Sequence, residues 1–414
     1  MTPISAIRRM LIHPHHVIWV VLQQSTVRGL LALKFLMAAR YLGPENMGLV
    51  GIATLTLAIV ESLSDTGLSQ AVIQRHQKLG THEAGAVWTL QMVRGLTISI
   101  LMLVIAVPVA MLFRVPDSAS LIMLAALVPL IRNGFNPGLF LVHRARNFRG
   151  ISIYEASGAV VDITTTLLLI HLGFGSAAIL LGTLASDSVK LFLTWTFFAT
   201  SLTPTFGWHR IRELTSFGKW IWGASIVTLA LNQLDKVLVA RFLGAAEFGV
   251  YQVASRIAQL IVADGAVALG QYLFPTFAQR RRESMDAANT YLLWVMRRLY
   301  LLELIICVLL AVGARFLVAI MLGENWSQAV PILRVMAISM FLGGGIAILV
   351  AYCRAIGSPK IVTQAVTVQL IVLIVVAPPL LLFFGGIGMA IASACALLAA
   401  TLCLAIKIKE GFLL

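Results

Sequence analysis

Apolar residues in this chain fall in continuous runs of helical length, such as VIAVPVAML, AAILLGTLA, VQLIVLIVV and ACALLAATL. The strands of an outer-membrane barrel would alternate apolar and polar residues instead, so the pattern predicts membrane-spanning helices. Each helix needs about 20 mostly apolar residues to cross. Runs between charged or Gly/Pro-bearing breaks predict spans near 17–40, 47–72, 84–113, 118–142, 152–171 and 175–200, then 217–240, 248–275, 289–321, 328–353, 361–384 and 387–407. Residues 201–219, SLTPTFGWHRIRELTSFGK, form the longest connection, and its centre around Trp208 to Leu214 reads as a short amphipathic surface helix. The predicted organisation is a first lobe over 1–200, a linker over 201–216 and a second lobe over 217–414.

A repeat supports that division. Residues 39–48 read ARYLGPENMG and residues 240–249 read ARFLGAAEFG, with five of ten positions identical. Each copy leaves the first predicted span of its lobe and enters the second. Six spans per lobe give both copies one orientation, so the expectation is an all-α polytopic membrane protein. About 12 transmembrane helices would form two six-helix lobes related by a pseudo-two-fold axis along the membrane normal. Substrate would bind between the lobes near the midplane, and Gly43, Gly48, Gly244 and Gly249 would let the chain turn tightly.

Composition sharpens the picture. Of 414 residues 59% are hydrophobic and 12% charged, and mean hydropathy is +0.94; soluble proteins carry about 25% charged residues. The net charge of +14 does not point to nucleic acid, because the cations sit in short loops and within spans. With the termini placed in the cytoplasm, loops on that side hold 17 of the 31 Lys and Arg residues. Only Arg40, Arg114, Arg241 and Arg315 fall opposite, as the positive-inside rule requires. The first span lacks a cleavage site and is expected to stay in the mature protein. Cys307, Cys353, Cys395 and Cys403 lie in or beside apolar runs and read as packing residues, and His13, His15 and His16 read as incidental, so no metal or cofactor is expected.

Charges at membrane depth cost at least about 2.5–3.5 kcal/mol, so they mark partners or watery cavities. On the first span Gln23, Gln24, Arg28 and Lys34 share an arc of roughly 140°, with Arg28 about 18 Å below the external end. On the seventh, Asn232, Asp235 and Lys236 share an arc of roughly 100°. Asp235 stands where the repeat puts Lys34 in the first lobe. Either the two pair across the lobes or each pairs within its own lobe, and whether Lys34 pairs with Asp235 or binds substrate is left open by the sequence. Arg94, Arg132, Asn133 and Arg256 add to the inner faces, giving an apparent excess of cations suited to an anionic ligand. The in-span acids include Glu61, Asp162, Asp187 and Glu303; Asp162 and Asp187 are the candidates for coupling to Na⁺ or H⁺.

The stretches ARYLGPENMGLVGIATLTLAIVESLSDTGLSQAVIQR and NQLDKVLVARFLGAAEFGVYQVASR resemble bacterial polysaccharide flippases. These form the polysaccharide transporter family of the multidrug/oligosaccharidyl-lipid/polysaccharide exporter superfamily. The resemblance implies translocation of oligosaccharide repeat units on undecaprenyl pyrophosphate, from the cytoplasmic to the periplasmic leaflet of the bacterial inner membrane. It implies a role for Arg28, Lys34 and Lys236 at the pyrophosphate, membrane lipid around the carrier, and a glycan polymerase and chain-length regulator as partners. A drug/cation antiporter of the same superfamily is the alternative, disfavoured here by the cation excess. An enzyme is not expected, since no large external loop is present to carry catalytic groups.

Overall fold

The computed structural model describes residues 17–64, 80–204 and 218–412. Regular structure among them is helical, with no strand. In order the helices are α1 Val17–Leu63, α2 Thr81–Leu112, α3 Ser118–Ala125, α4 Leu127–Asn133, α5 Gly138–Arg144, α6 Phe148–His171 and α7 Ala177–Thr196. Then follow α8 Gly218–Ala258, α9 Asp264–Glu283, α10 Met285–Met321, α11 Ala329–Ala355 and α12 Pro359–Phe412. A π-helical turn, Gln259–Ala263, joins α8 to α9. Residues beyond these, including most of the 201–216 linker, the histidines near the start and the predicted end of the second span, lie outside the described residues.

Among the described residues eight helices are long and apolar enough to cross a membrane, or nine if Ser118–Asn133 and Gly138–Arg144, bent by 66°, form one crossing. The expectation of about twelve spans divides three of these runs, and each of the three has a non-helical glycine inside it. Gly43 in α1 has φ 76° and ψ 175°, Gly244 in α8 has φ 82° and ψ −177°, and Gly385 in α12 has φ 57° and ψ −140°. These conformations are open essentially to glycine alone. A straight helix of 54 residues would be about 80 Å long, far more than the ~30 Å hydrocarbon core, so a break in α12 is what membrane thickness demands.

The two copies of the repeat take matching backbone conformations at Gly43 and Gly244 and also meet each other. A Cβ on Gly48 would fall 1.8 Å from the Ala245 carbonyl oxygen, and one on Gly249 would fall 2.0 Å from that of Pro44. Under the repeat, each contact is the image of the other.

Contacts divide the chain into two compact units, one of Met1–Leu42 and Leu49–Leu229, the other of Gly43–Gly48 and Ala230–Leu414. In the first, α6 packs on α7 and α2 on α3 and α4. In the second, α11 packs against α9, α10 and α12. The core there gathers Phe277, Leu292, Ile348, Tyr352 and Leu404. Two predicted boundaries are corrected. The span expected to end at Pro275 continues as α9 to Glu283 with the proline inside the helix. The span expected over 118–142 is broken by its FNPG sequence, where Asn136 Oδ1 accepts from the N–H of Gly138 at 2.8 Å and of Thr200 at 3.1 Å.

Candidate functional site

That bend builds the polar centre of the first unit. Trp88 and Trp195, edge to face at 6.0 Å, both donate their indole N–H to the Gly134 carbonyl, at 3.2 and 3.0 Å. Gly134 follows α4 directly, and so Arg132 and Asn133 at the end of α4 are held in place. Asn133 is buried and spends its amide on Pro129 O at 2.7 Å. Arg132 is the more available, its side chain 42% exposed. It donates from Nη2 to Asp187 Oδ2 of α7 at 2.9 Å and more loosely from Nη1 to Glu61 Oε1 of α1 at 3.4 Å. Arg94 of α2 donates to Ser64 Oγ and to the Glu61 carbonyl. Glu61, Gln91, Arg94, Arg132, Asn133 and Asn136 line a cavity of about 400 Å³.

Lys34 lies deeper. It is 7% exposed and donates from Nζ to Asp162 Oδ1 of α6 at 2.5 Å and to Thr183 Oγ1 of α7 at 3.2 Å. Lys190 pairs with Glu155 at 2.6 Å. Lys34, Arg94, Arg132 and Lys190 are therefore set against Glu61, Asp162, Asp187 and Glu155. The expected cation excess is not found in this cluster of four cations and four acids: Lys34, Arg132 and Lys190 pair with acids on other helices, while Arg94 is held by a hydroxyl and a backbone carbonyl. Gln24 and Arg28 are exposed on α1, apart from the buried Lys34; the side chain of Gln23 lies outside the described residues.

In the second unit, Asn232, Asp235, Lys236, Tyr251 and Gln259 share a cavity of about 240 Å³ with Ser339, Gln369 and Ser393. Tyr251 donates to Asp235 Oδ2 at 2.9 Å, while Oδ1 is buried without a hydrogen-bond partner among the described residues. Lys236 turns back on its own helix, to Asn232 O at 2.7 Å and Gln233 Oε1 at 3.3 Å. Arg256 donates to Gln259 Oε1 at 3.1 Å. Of the two alternatives left open for Lys34 and Asp235, the hydrogen bonds described here are those within each unit, Lys34 to Asp162 and Asp235 to Tyr251. Glu61 and Tyr251, which hold the key charges, were not read as site residues. Glu61 carried a signal as an in-span acid, and Tyr251 carried none.

Residues 37–331 match the family described as polysaccharide biosynthesis protein. The chain is 25% identical over 340 residues to the succinoglycan biosynthesis transport protein ExoT of Rhizobium meliloti (strain 1021), covering 82% of this chain and 68% of that one. It is 22% identical over 344 residues to the lipopolysaccharide biosynthesis protein WzxC of Escherichia coli (strain K12), covering 82% and 67%. In fold it is similar to the lipid II flippase MurJ in an inward closed conformation, with TM-score 0.77, 15% identity and coverage of 95% and 87%. It is also similar to an inward-facing multidrug resistance transporter of the MATE family, with TM-score 0.67, 16% identity and coverage of 94% and 95%. The fold is that of these all-α polytopic transporters.

Proposed function

Because this chain belongs to the family of polysaccharide biosynthesis proteins, we propose that it is a flippase of the bacterial inner membrane. It moves an oligosaccharide repeat unit on undecaprenyl pyrophosphate from the cytoplasmic to the periplasmic leaflet by alternating access, for exopolysaccharide, capsule or O-antigen synthesis. A glycan polymerase and a chain-length regulator take the product on the far side. Two six-span lobes, 1–200 and 217–414, are joined by the 201–216 linker.

A pyrophosphate and its sugars lose their hydration in hydrocarbon, so the carrier must supply replacement partners. No bond needs to be made or broken. The observation that supports this reading beside the family match is the state of Arg132. Asp187 holds one end of its guanidinium at 2.9 Å, while the other reaches Glu61 at 3.4 Å beside the cavity. An arriving phosphate can displace Glu61 and accept from a fork already oriented by Asp187. Arg28, Arg94 and Lys236 add attraction, with Gln24, Asn133, Asn232 and Arg256 as further polar partners. Lys34, buried on Asp162, serves by fixing α1 against α6 and α7.

The balanced charge of the cluster removes cation excess as a ground for setting the drug antiporter aside; membership of the family does that instead. The test is polymer export in cells producing a stably inserted Arg132→Ala protein. Loss of one or two charge-assisted hydrogen bonds, each about 1.5–3 kcal/mol, should cut transport by about 10- to 100-fold or more. Lipid-linked repeat units should accumulate in the cytoplasmic leaflet. Normal export would overturn the role given to Arg132.

A further inference from the structure

Glu303 sits at the midpoint of α10, which runs Met285–Met321. The buried face of that helix passes through Val295, Leu299, Glu303, Cys307 and Leu310, a stripe at helical spacing in which the carboxylate replaces an apolar residue. Its neighbours Leu301, Leu302, Leu304 and Ile305 are exposed on the lipid-facing side. Glu303 itself points inward and is 3% exposed. It lies against α11 where that helix reads Gly343, Gly344, Gly345. A Cβ on Gly344 would fall 1.7 Å from Glu303 Oε1, and one on Gly345 would fall 2.1 Å from the Tyr300 hydroxyl. The glycines leave room for an acid and a phenol that a larger residue would fill.

Neither carboxylate oxygen has a hydrogen-bond partner among the described residues. The titratable neighbours on α10 are Tyr300 and Cys307, and the Cys307 thiol donates to Ala337 O at 3.1 Å. From α11, Ser339 gives its hydroxyl to Val335 O and Ala390 O, and Arg334 gives Nε to Ala311 O. From α9, Arg280 pairs with Glu283 and Tyr272 is exposed; the side chain of Asp264 lies outside the described residues. The π turn Gln259–Ala263 carries no titratable group. Asp162 and Asp187, by contrast, have Lys34 and Arg132 beside them. Among the described residues an ionised carboxylate here would be buried with neither cation nor donor, which is far costlier than the neutral acid. A sodium ion would need several converging oxygens, and among the described residues no group of three acidic, His or Cys side chains could hold a metal.

We propose that Glu303 is a proton-binding site at mid-membrane. It holds a proton in the state described here and releases it to water when the contact between α10 and α11 opens, linking proton movement to transport. Only that last link rests on the flippase reading. The test is infrared spectroscopy of the full chain in lipid nanodiscs. Wild type should show the carbonyl band of a protonated carboxylic acid at neutral pH, and Glu303→Gln should lack it. Replacing sodium by choline should leave the band in place. Absence of the band in wild type, an equal band in Glu303→Gln, or a band that emerges only when sodium is withdrawn would each overturn the proposal. Should Glu303→Gln fail to fold, Glu303→Asp must shift the band, and an unshifted band would overturn the assignment. This readout needs no glycan, so it stands apart from the export assay. In that assay Glu303→Gln should lose export, while Arg132→Ala should lose export with the infrared band intact.

Discussion

At the residue scale, the ion pair between Lys34 and Asp162 shows what burial does to a charge. Each residue is less than one tenth exposed, so neither can turn to water if the other is lost. Asp162→Asn should therefore destabilise the protein by about 3–5 kcal/mol, whereas Lys34→Met combined with Asp162→Leu should be neutral or stabilising. Unfolding in detergent by heat or denaturant, read as a double-mutant cycle, checks both expectations. Lys34 could be read from the sequence as a buried cation, because it interrupts an apolar span. Its partner could not, since Asp162 lies 128 residues away and only the packing of α6 and α7 on α1 brings it near. The same holds for Arg132, whose two acids come from α1 and α7. Helical arcs on single spans told which faces are polar, and they carried no information on which faces meet.

At the element scale, the glycines of the repeat do two different jobs. Gly43 and Gly244 supply a backbone conformation with positive φ that breaks a long helix, while Gly48 and Gly249 admit a neighbouring carbonyl where a Cβ would stand. Gly48→Ala and Gly249→Ala must push backbone against backbone and should lower the yield and thermal stability of folded protein in detergent. Gly29→Ala, with nothing within 4 Å of the added Cβ, should leave both near the wild-type value. The positions of most elements were legible in the sequence, because a run of about 20 apolar residues has few uses other than crossing a membrane. The bend between α4 and α5 was not. FNPG reads as an ordinary turn until Asn136 is seen holding both Gly138 and Thr200. Nor was the extension of α9 past Pro275, since the residue that commonly ends a helix is here carried inside one.

At the scale of the whole molecule, the distribution of Lys and Arg predicts which loops share a side. In a variant whose four native cysteines are replaced, single cysteines at Ala145 and Lys360 should react with a membrane-impermeant maleimide only from the cytoplasmic side. Those at Asp117 and Phe174 should react from the periplasmic side. All four positions are exposed, so labelling reports sidedness, not burial. Labelling of Ala145 and Asp117 from the same side would contradict the crossing assigned to the bent segment between them.

The reciprocal contact of the two glycine segments has a consequence for descent. Gly48 meets Ala245, and Gly249 meets Pro44, so the contact is self-complementary in the way that two identical partners make one. An ancestor bearing one copy of this segment would have completed the contact only with a second copy of itself. Fusion of two such genes would have kept the contact while freeing each copy to change its polar residues, which is how one lineage can come to hold a lysine at position 34 and an aspartate at position 235.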